Sequence, residues 1–156
     1  MVRLEPMTEA ELAELRRQTV ADFTSGKCAA GYLDAERARA LAEQTFDGLL
    51  PDGLDSAGQQ LLAVLDAATG ERVGLLWFGL TDQGAGPLAY IFGGLIRAPH
   101  RRRGYARAAL QALERAAAGA GARQVALQLF GGNAAARALF EQAGYRVSDV
   151  MLAKPL

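Results

Sequence analysis

A chain of 156 residues with 51% hydrophobic and 22% charged residues has the size and composition of one globular domain, which excludes a disordered polymer and leaves no room for separate catalytic and binding domains. Lys+Arg and Asp+Glu stand at 17 each, so no net field draws nucleic acid or a membrane surface to the chain. The lone Cys28 and lone His100 exclude a disulfide framework and multi-cysteine or histidine-rich metal sites, and no metal is expected.

The N-terminal stretch is charged from Arg3 and carries no apolar leader core. No run approaches the roughly 18 apolar residues of a membrane span, so the expectation is a cytoplasmic protein without a membrane partner. Residues 2–5 read as a short strand before Pro6. Thr8 followed by Glu11 is a capping box, and it opens a helix with Leu12, Leu15, Thr19 and Phe23 on one face, ending near Gly26. Asp34 caps a second helix through Leu41 and Phe46 to Leu49, closed by the Pro51-Asp52-Gly53 turn. Residues 60–66 and 72–80 are apolar runs flanking Ala68-Thr69-Gly70, a hairpin, and residues 88–97 form a further strand. Its paired Gly93-Gly94 marks a bulge or a close backbone approach. An Ala-rich helix from Gly104 to Ala118 follows, then a strand at 124–130, a helix from Asn133 to Gln142, and a last strand at 145–153. The order β-α-α-β-β-β-α-β-α-β predicts a single α/β (α+β) domain over 1–156, a mixed sheet with helices on its faces.

The richest stretch is Ile96-Arg97-Ala98-Pro99-His100-Arg101-Arg102-Arg103-Gly104-Tyr105-Ala106, where a strand enters a basic loop that opens directly into a helix. The first N–H groups of a helix lack internal partners and the helix dipole favours negative charge there. Gly104 and Ala106 keep the turn bare, and Arg101, Arg102, Arg103 and Arg107 add positive charge. A phosphate ester or diphosphate is the ligand this suggests; a solvated basic helix start is the alternative. Nucleic acid is not expected from one short cluster on a neutral chain.

Arg101-x-x-Gly104-x-Ala106 resembles the acetyl-coenzyme A loop, [RQ]-x-x-G-x-[GA], of the GCN5-related N-acetyltransferases (the GNAT family). Asn133 to Tyr145 resembles the same family's N-x-x-A-x-x-L-[YF]-x-x-x-G-[FY] signature, about 30 residues downstream. The resemblance implies a GNAT-like, mostly antiparallel sheet of six to seven strands, with residues 60–156 as the cofactor-binding core and 1–56 as the variable acceptor side. It implies acetyl-coenzyme A as co-substrate. Leu95, Ile96 and Arg97 would offer main-chain hydrogen bonds to pantetheine as though it were an added strand. The N–H groups from Arg102 through Arg103, Gly104 and Tyr105 to Ala106 would hold the diphosphate, with Arg101 neutralising it. Asn133 would reach the pantetheine arm, and Arg137 and Phe140 would face the cofactor.

Two positions depart from the family pattern. Phe140 stands where members often place a tyrosine acid, and no Asp or Glu lies between Leu88 and Ile96 to accept the amine's proton. The catalytic residues are therefore open: Tyr90 is the candidate on the strand, and His100 lies at the phosphate end of the loop. Glu43 and Asp47 read as a solvated face, while Trp77, Phe92 and Tyr32 are either acceptor-pocket walls or core. The expected function is transfer of an acetyl group to a primary amine of a small molecule or peptide, by direct attack in a ternary complex. A non-catalytic acyl-coenzyme A binding module and a transferase of longer acyl groups are the alternatives, and a homodimer is left open.

Overall fold

Thr8 starts the first helix as its capping box requires: its hydroxyl accepts from the Glu11 N–H at 3.3 Å, and the Glu11 carboxylate accepts from the Thr8 N–H at 3.0 Å. This helix, α1 (Glu9–Ala29), runs one turn past the expected end. The Asp34 carboxylate accepts from the Arg37 N–H at 2.9 Å and caps α2 (Ala35–Leu49). The strands are β1 (Val2–Pro6), β2 (Gln59–Asp66), β3 (Arg72–Asp82), β4 (Pro87–Ile96) and β5 (Gln124–Leu127). Helix α3 (Tyr105–Gly119) connects β4 to β5, and α4 (Ala134–Gln142) follows β5. This computed structural model describes every residue except Gln83, Ala85 and Pro155. Among the described residues no helix is long and apolar enough to cross a membrane.

The sheet order is β1-β2-β3-β4-β5, antiparallel from β1 to β4, with β5 parallel to β4. A parallel neighbour needs a long crossover, which α3 supplies. Alternation along the strands sends side chains to opposite faces. Leu61, Ala63, Leu65, Leu75 and Trp77 pack beneath α1 and α2 with Leu15 and Phe46. Val64, Val73 and Phe78 meet Ala109, Ala112, Leu113 and Ala117 of α3 on the other face. Helices therefore cover both faces of a GNAT-like mixed α/β sheet.

The strand count is five among the described residues, not six to seven, because residues 145–153 form no strand. Local alternation favours extended backbone there, but a strand also needs a ladder partner, and β5 pairs only with β4. Val147, Val150 and Met151 are accordingly 58%, 73% and 75% exposed. Single contacts hold this segment in place of a ladder: the Tyr145 N–H donates to the Phe140 carbonyl at 3.0 Å, the Tyr145 ring lies edge-on to Phe140 at 5.2 Å, and the Tyr32 hydroxyl donates to the Met151 sulfur at 3.4 Å. Strand β5 is likewise shorter than the apolar run 124–130 suggests, ending at Leu127.

Two features of β4 position the site. Trp77 pairs with Gly93 but Phe78 pairs with Ile91, so Phe92 is an extra residue and the strand bulges there. Strand β5 pairs with β4 only from Leu88 to Ile91, so beyond the bulge the β5-side edge of β4 has no partner strand. Gly93 also lies under α1: a Cβ there would come within 3.0 Å of the Thr19 hydroxyl. The bulge therefore falls on Phe92, next to the glycine pair, and Gly93 admits the close approach of α1.

Candidate active site

The open edge of β4 leads straight into the basic loop, and main-chain alternation decides which groups face outward. The Arg97 N–H donates to the Val73 carbonyl at 2.9 Å, so Arg97 and, two residues back, Leu95 turn their peptide groups toward β3. The Arg97 carbonyl accepts from the His100 N–H at 2.9 Å. Ile96 faces the other way, and its carbonyl accepts from Arg101 Nε at 2.9 Å. Of the three residues expected to offer main-chain bonds, only Ile96 presents them to the open side; the reason is the strand's alternation, which a run of three consecutive residues cannot satisfy.

After a short 3₁₀ turn (Ala98–His100), the backbone enters the left-handed region at Arg102 (φ 62°) and again at Gly104 (φ 83°), the N-cap of α3. The first α3 bond runs from the Ala108 N–H to the Gly104 carbonyl at 3.1 Å. No carbonyl of the described residues accepts from the N–H groups of Arg102 through Arg107. A Cβ built on Gly104 meets nothing within 4 Å, so the space above these amides is open. Consecutive unpaired N–H groups curved by left-handed residues, at the positive end of a 15-residue helix, form a cradle for an anion.

The Tyr105 side chain turns away from that cradle. Its hydroxyl donates to Asp66 at 2.5 Å, tying the helix start to the β2–β3 turn. That bond, with the Thr69 and Ala68 amides, holds the Asp66 carboxyl at about 2. The Arg103 guanidinium lies over the Tyr105 ring at 5.5 Å. His100 is buried, with Nε2 3.4 Å from Glu71 and its ring edge-on to Tyr105 at 6.0 Å, so it packs beneath the loop.

Arg97 has a second role that its expected main-chain part did not suggest. Its guanidinium grips Glu14 at 3.1 and 2.7 Å, reaches Glu11 at 3.3 Å, and donates to the Arg72 carbonyl at 2.6 Å. Arg72 in turn donates twice to Glu11, both at 2.7 Å. Glu11 is only 6% exposed, and the Arg72 guanidinium, with the Thr8 amide and Arg97, holds its carboxyl at about 2. This network bolts α1 to β3 and to the end of β4. Beside it lies a cavity of about 310 Å³ lined by Glu14, Arg17 and Gln18 of α1 and by Leu95, Arg97, Ala98 and Arg101. The three α1 residues were missed in the sequence; their i, i+3, i+4 spacing marks one helix face but does not say what that face meets.

The remaining candidates divide. Asn133 caps α4, its side-chain oxygen accepting from the Ala136 N–H at 3.2 Å. Arg137 is engaged with Glu141 at 2.7 Å and Phe140 with Tyr145. Tyr90 lies on β4 beside Phe92, with ring centroids 5.0 Å apart. Burial pushes its phenol pKa upward, against the Gln128 backbone, so at neutral pH it holds its proton and cannot serve as a base. Trp77 is core, 1% exposed, stacked on Phe92 at 4.8 Å and bonded to Gln59 at 2.7 Å. Asp47 and Glu43 pair with Arg16 and Arg39 at the surface, and Tyr32 is half-exposed.

A bulged, half-open strand running into an amide cradle at a helix start agrees with what the sequence signature of the "Acetyltransferase (GNAT) family" finds: it matches residues 21–145. The chain belongs to the GNAT acetyltransferase family. It is 34% identical to the uncharacterized N-acetyltransferase YycN of Bacillus subtilis, across 99% of both chains. YdgE of the same organism, also an uncharacterized N-acetyltransferase, is 29% identical over 98% of this chain and 97% of its own. The YycN crystal structure superposes with a TM-score of 0.90 over 100% of this chain and 99% of its own, at 33% identity. The fold also matches that of AAC(6')-Iy in complex with the bisubstrate analogue CoA-S-monomethyl-acetylneamine, at a TM-score of 0.64 and 15% identity, covering 100% and 98% of the two chains. Among the described residues no cluster of His, Cys, Asp and Glu is arranged to hold a metal.

Proposed function

We propose that this GNAT-family protein transfers an acetyl group from acetyl-coenzyme A to a primary amine by direct attack in a ternary complex. The observation that carries the reading is the amide cradle of Arg102–Arg107, opened by Gly104 at φ 83° and adjoining the free edge of β4. Unpaired N–H groups fit a diphosphate, and an unpartnered strand edge fits an extended pantetheine arm. Ile96 holds that arm by its outward peptide groups. Arg101 stands between the two, and its Nε bond to the Ile96 carbonyl yields to the arm. Asn133, the N-cap of α4, offers its amide nitrogen to the cofactor while its oxygen accepts from the Ala136 N–H.

When bound, acetyl-coenzyme A supplies the activated acetyl thioester; the chain supplies position and charge. Phe140 cannot protonate a leaving thiolate, but a thiol with a pKa of about 8.5 departs tolerably as its anion. An alkylammonium near pKa 10.4 must lose its proton first, at a cost of roughly 4–5 kcal/mol at pH 7. With Tyr90 held neutral and no carboxylate on β4, that proton leaves to water. The rate should therefore rise with pH well past neutrality, following the free-amine fraction.

The experiment is steady-state release of free thiol from acetyl-coenzyme A with a panel of amines, amino acids and peptides from pH 6 to 10. Turnover rising with pH supports the reading. Tight coenzyme A binding without turnover on any amine would replace it with the binding module, which the absent acid and base favour. Faster turnover with longer acyl chains would revise the donor.

A further inference from the structure

The cavity between α1 and the end of β4 carries more positive charge than the proposed transfer accounts for. Three arginines, Arg17, Arg97 and Arg101, stand among its lining residues beside one acidic residue, Glu14. Glu14 is bound to Arg97 at 2.7 Å, so those two neutralise each other. Among the described residues the Arg101 side chain donates only to the uncharged Ile96 carbonyl. Among the described residues neither Arg17 nor Arg101 has a carboxylate within ion-pair distance. The Gln18 amide is turned to Asp22 at 2.8 Å and does not compensate them. Two like charges facing one cavity repel each other, and an anion between them reverses the sign of that term. Guanidinium forks also match phosphate and carboxylate oxygens in geometry.

We propose that this cavity is an oxyanion site in which Arg17 of α1 and Arg101 of the loop together hold a phosphate or carboxylate group of one of the two substrates. The inference rests on the acetyl-coenzyme A reading and adds Arg17, from the acceptor-side helix, as a binding residue. It also gives the Glu11–Arg72–Arg97–Glu14 network a purpose, since that network sets the distance between α1 and the loop. The phosphates of coenzyme A and the carboxylate of an amino-acid acceptor are the two sources of such an anion.

The test compares wild type, Arg17→Gln and Arg17→Lys, all surface changes compatible with folding. Calorimetric titration uses coenzyme A, 3′-dephospho-coenzyme A and inorganic diphosphate; turnover uses lysine against 1,5-diaminopentane. A tenfold or greater loss of coenzyme A affinity in Arg17→Gln, partly restored in Arg17→Lys, assigns the anion to the cofactor. If that loss disappears with the dephospho form, the anion is the 3′-phosphate. Unchanged coenzyme A affinity with a KM raised for lysine and not for the diamine assigns it to the acceptor. No change in any arm overturns the proposal. Failure of wild type to bind coenzyme A would instead remove the transferase reading. Inorganic diphosphate then judges the cavity alone: weaker binding in Arg17→Gln sustains it, and equal binding overturns it.

Discussion

Glu11→Gln isolates the charge that locks α1 onto the sheet. Gln is accepted at the third helical position of a capping box, so the helix start survives. What disappears is the negative charge shared by Arg72 at 2.7 Å and Arg97 at 3.3 Å on a side chain only 8% exposed. A carboxyl lowered from 4.5 to about 2 contributes about 3 kcal/mol at neutral pH, at roughly 1.4 kcal/mol per unit. For a chain of this length that is a fall in Tm of about 6–12 °C. Because the folded value lies below the unfolded one, the contribution is complete above the unfolded value of 4.5 and fades as the pH falls toward 2. At pH 3 about 1.5 kcal/mol survives, so the gap between variant and wild type should narrow to about 3–6 °C. Asp66, whose carboxyl is also lowered, titrates identically in both proteins and cancels from the comparison. Thermal unfolding followed by circular dichroism at pH 7 and pH 3 decides it. An equal gap at both values would mean that packing rather than charge joins Glu11 to its arginines, and would refute the argument.

Gly104→Val places a β-branched side chain at φ 83°, where L residues are strained, although the space beyond is open. A stability loss of about 1–2 kcal/mol is expected, with coenzyme A affinity lowered at least tenfold by calorimetry; unchanged affinity in the folded variant would remove the cradle from the cofactor site. Asn133→Asp keeps the oxygen that accepts from Ala136 and adds a charge that suits a helix start, so its Tm should stay near wild type while coenzyme A binding weakens. Asn133→Ala, by contrast, should lose about 1 kcal/mol in an unfolding titration, and intact binding in both variants would leave Asn133 a cap alone.

What a short window of sequence can encode, this sequence encodes well. The Thr8–Glu11 box, the Asp34 and Asn133 caps, the hairpin around Gly70 and the helix opening at Gly104 all depend on residues a few positions apart, and each is formed. The family is equally local, carried by two motifs whose spacing survives in a single chain. Tertiary structure decided whatever needed a distant partner. Residues 145–153 alternate like a strand, yet no ladder reaches them, because a strand's stability comes from its neighbour. Leu95, Ile96 and Arg97 are equivalent as letters, and only the pairing of Arg97 with Val73 turns Ile96 outward. Glu11 reads as a cap, but its burial beneath Arg72 and Arg97 joins residues 61 and 86 positions apart. Arg17 is one of 15 arginines in the sequence, and it stands out only once α1 lies across the end of β4 and a cavity brings it to Arg101. Charge and burial act through space, so their consequences for the site belong to the fold and not to any segment of it.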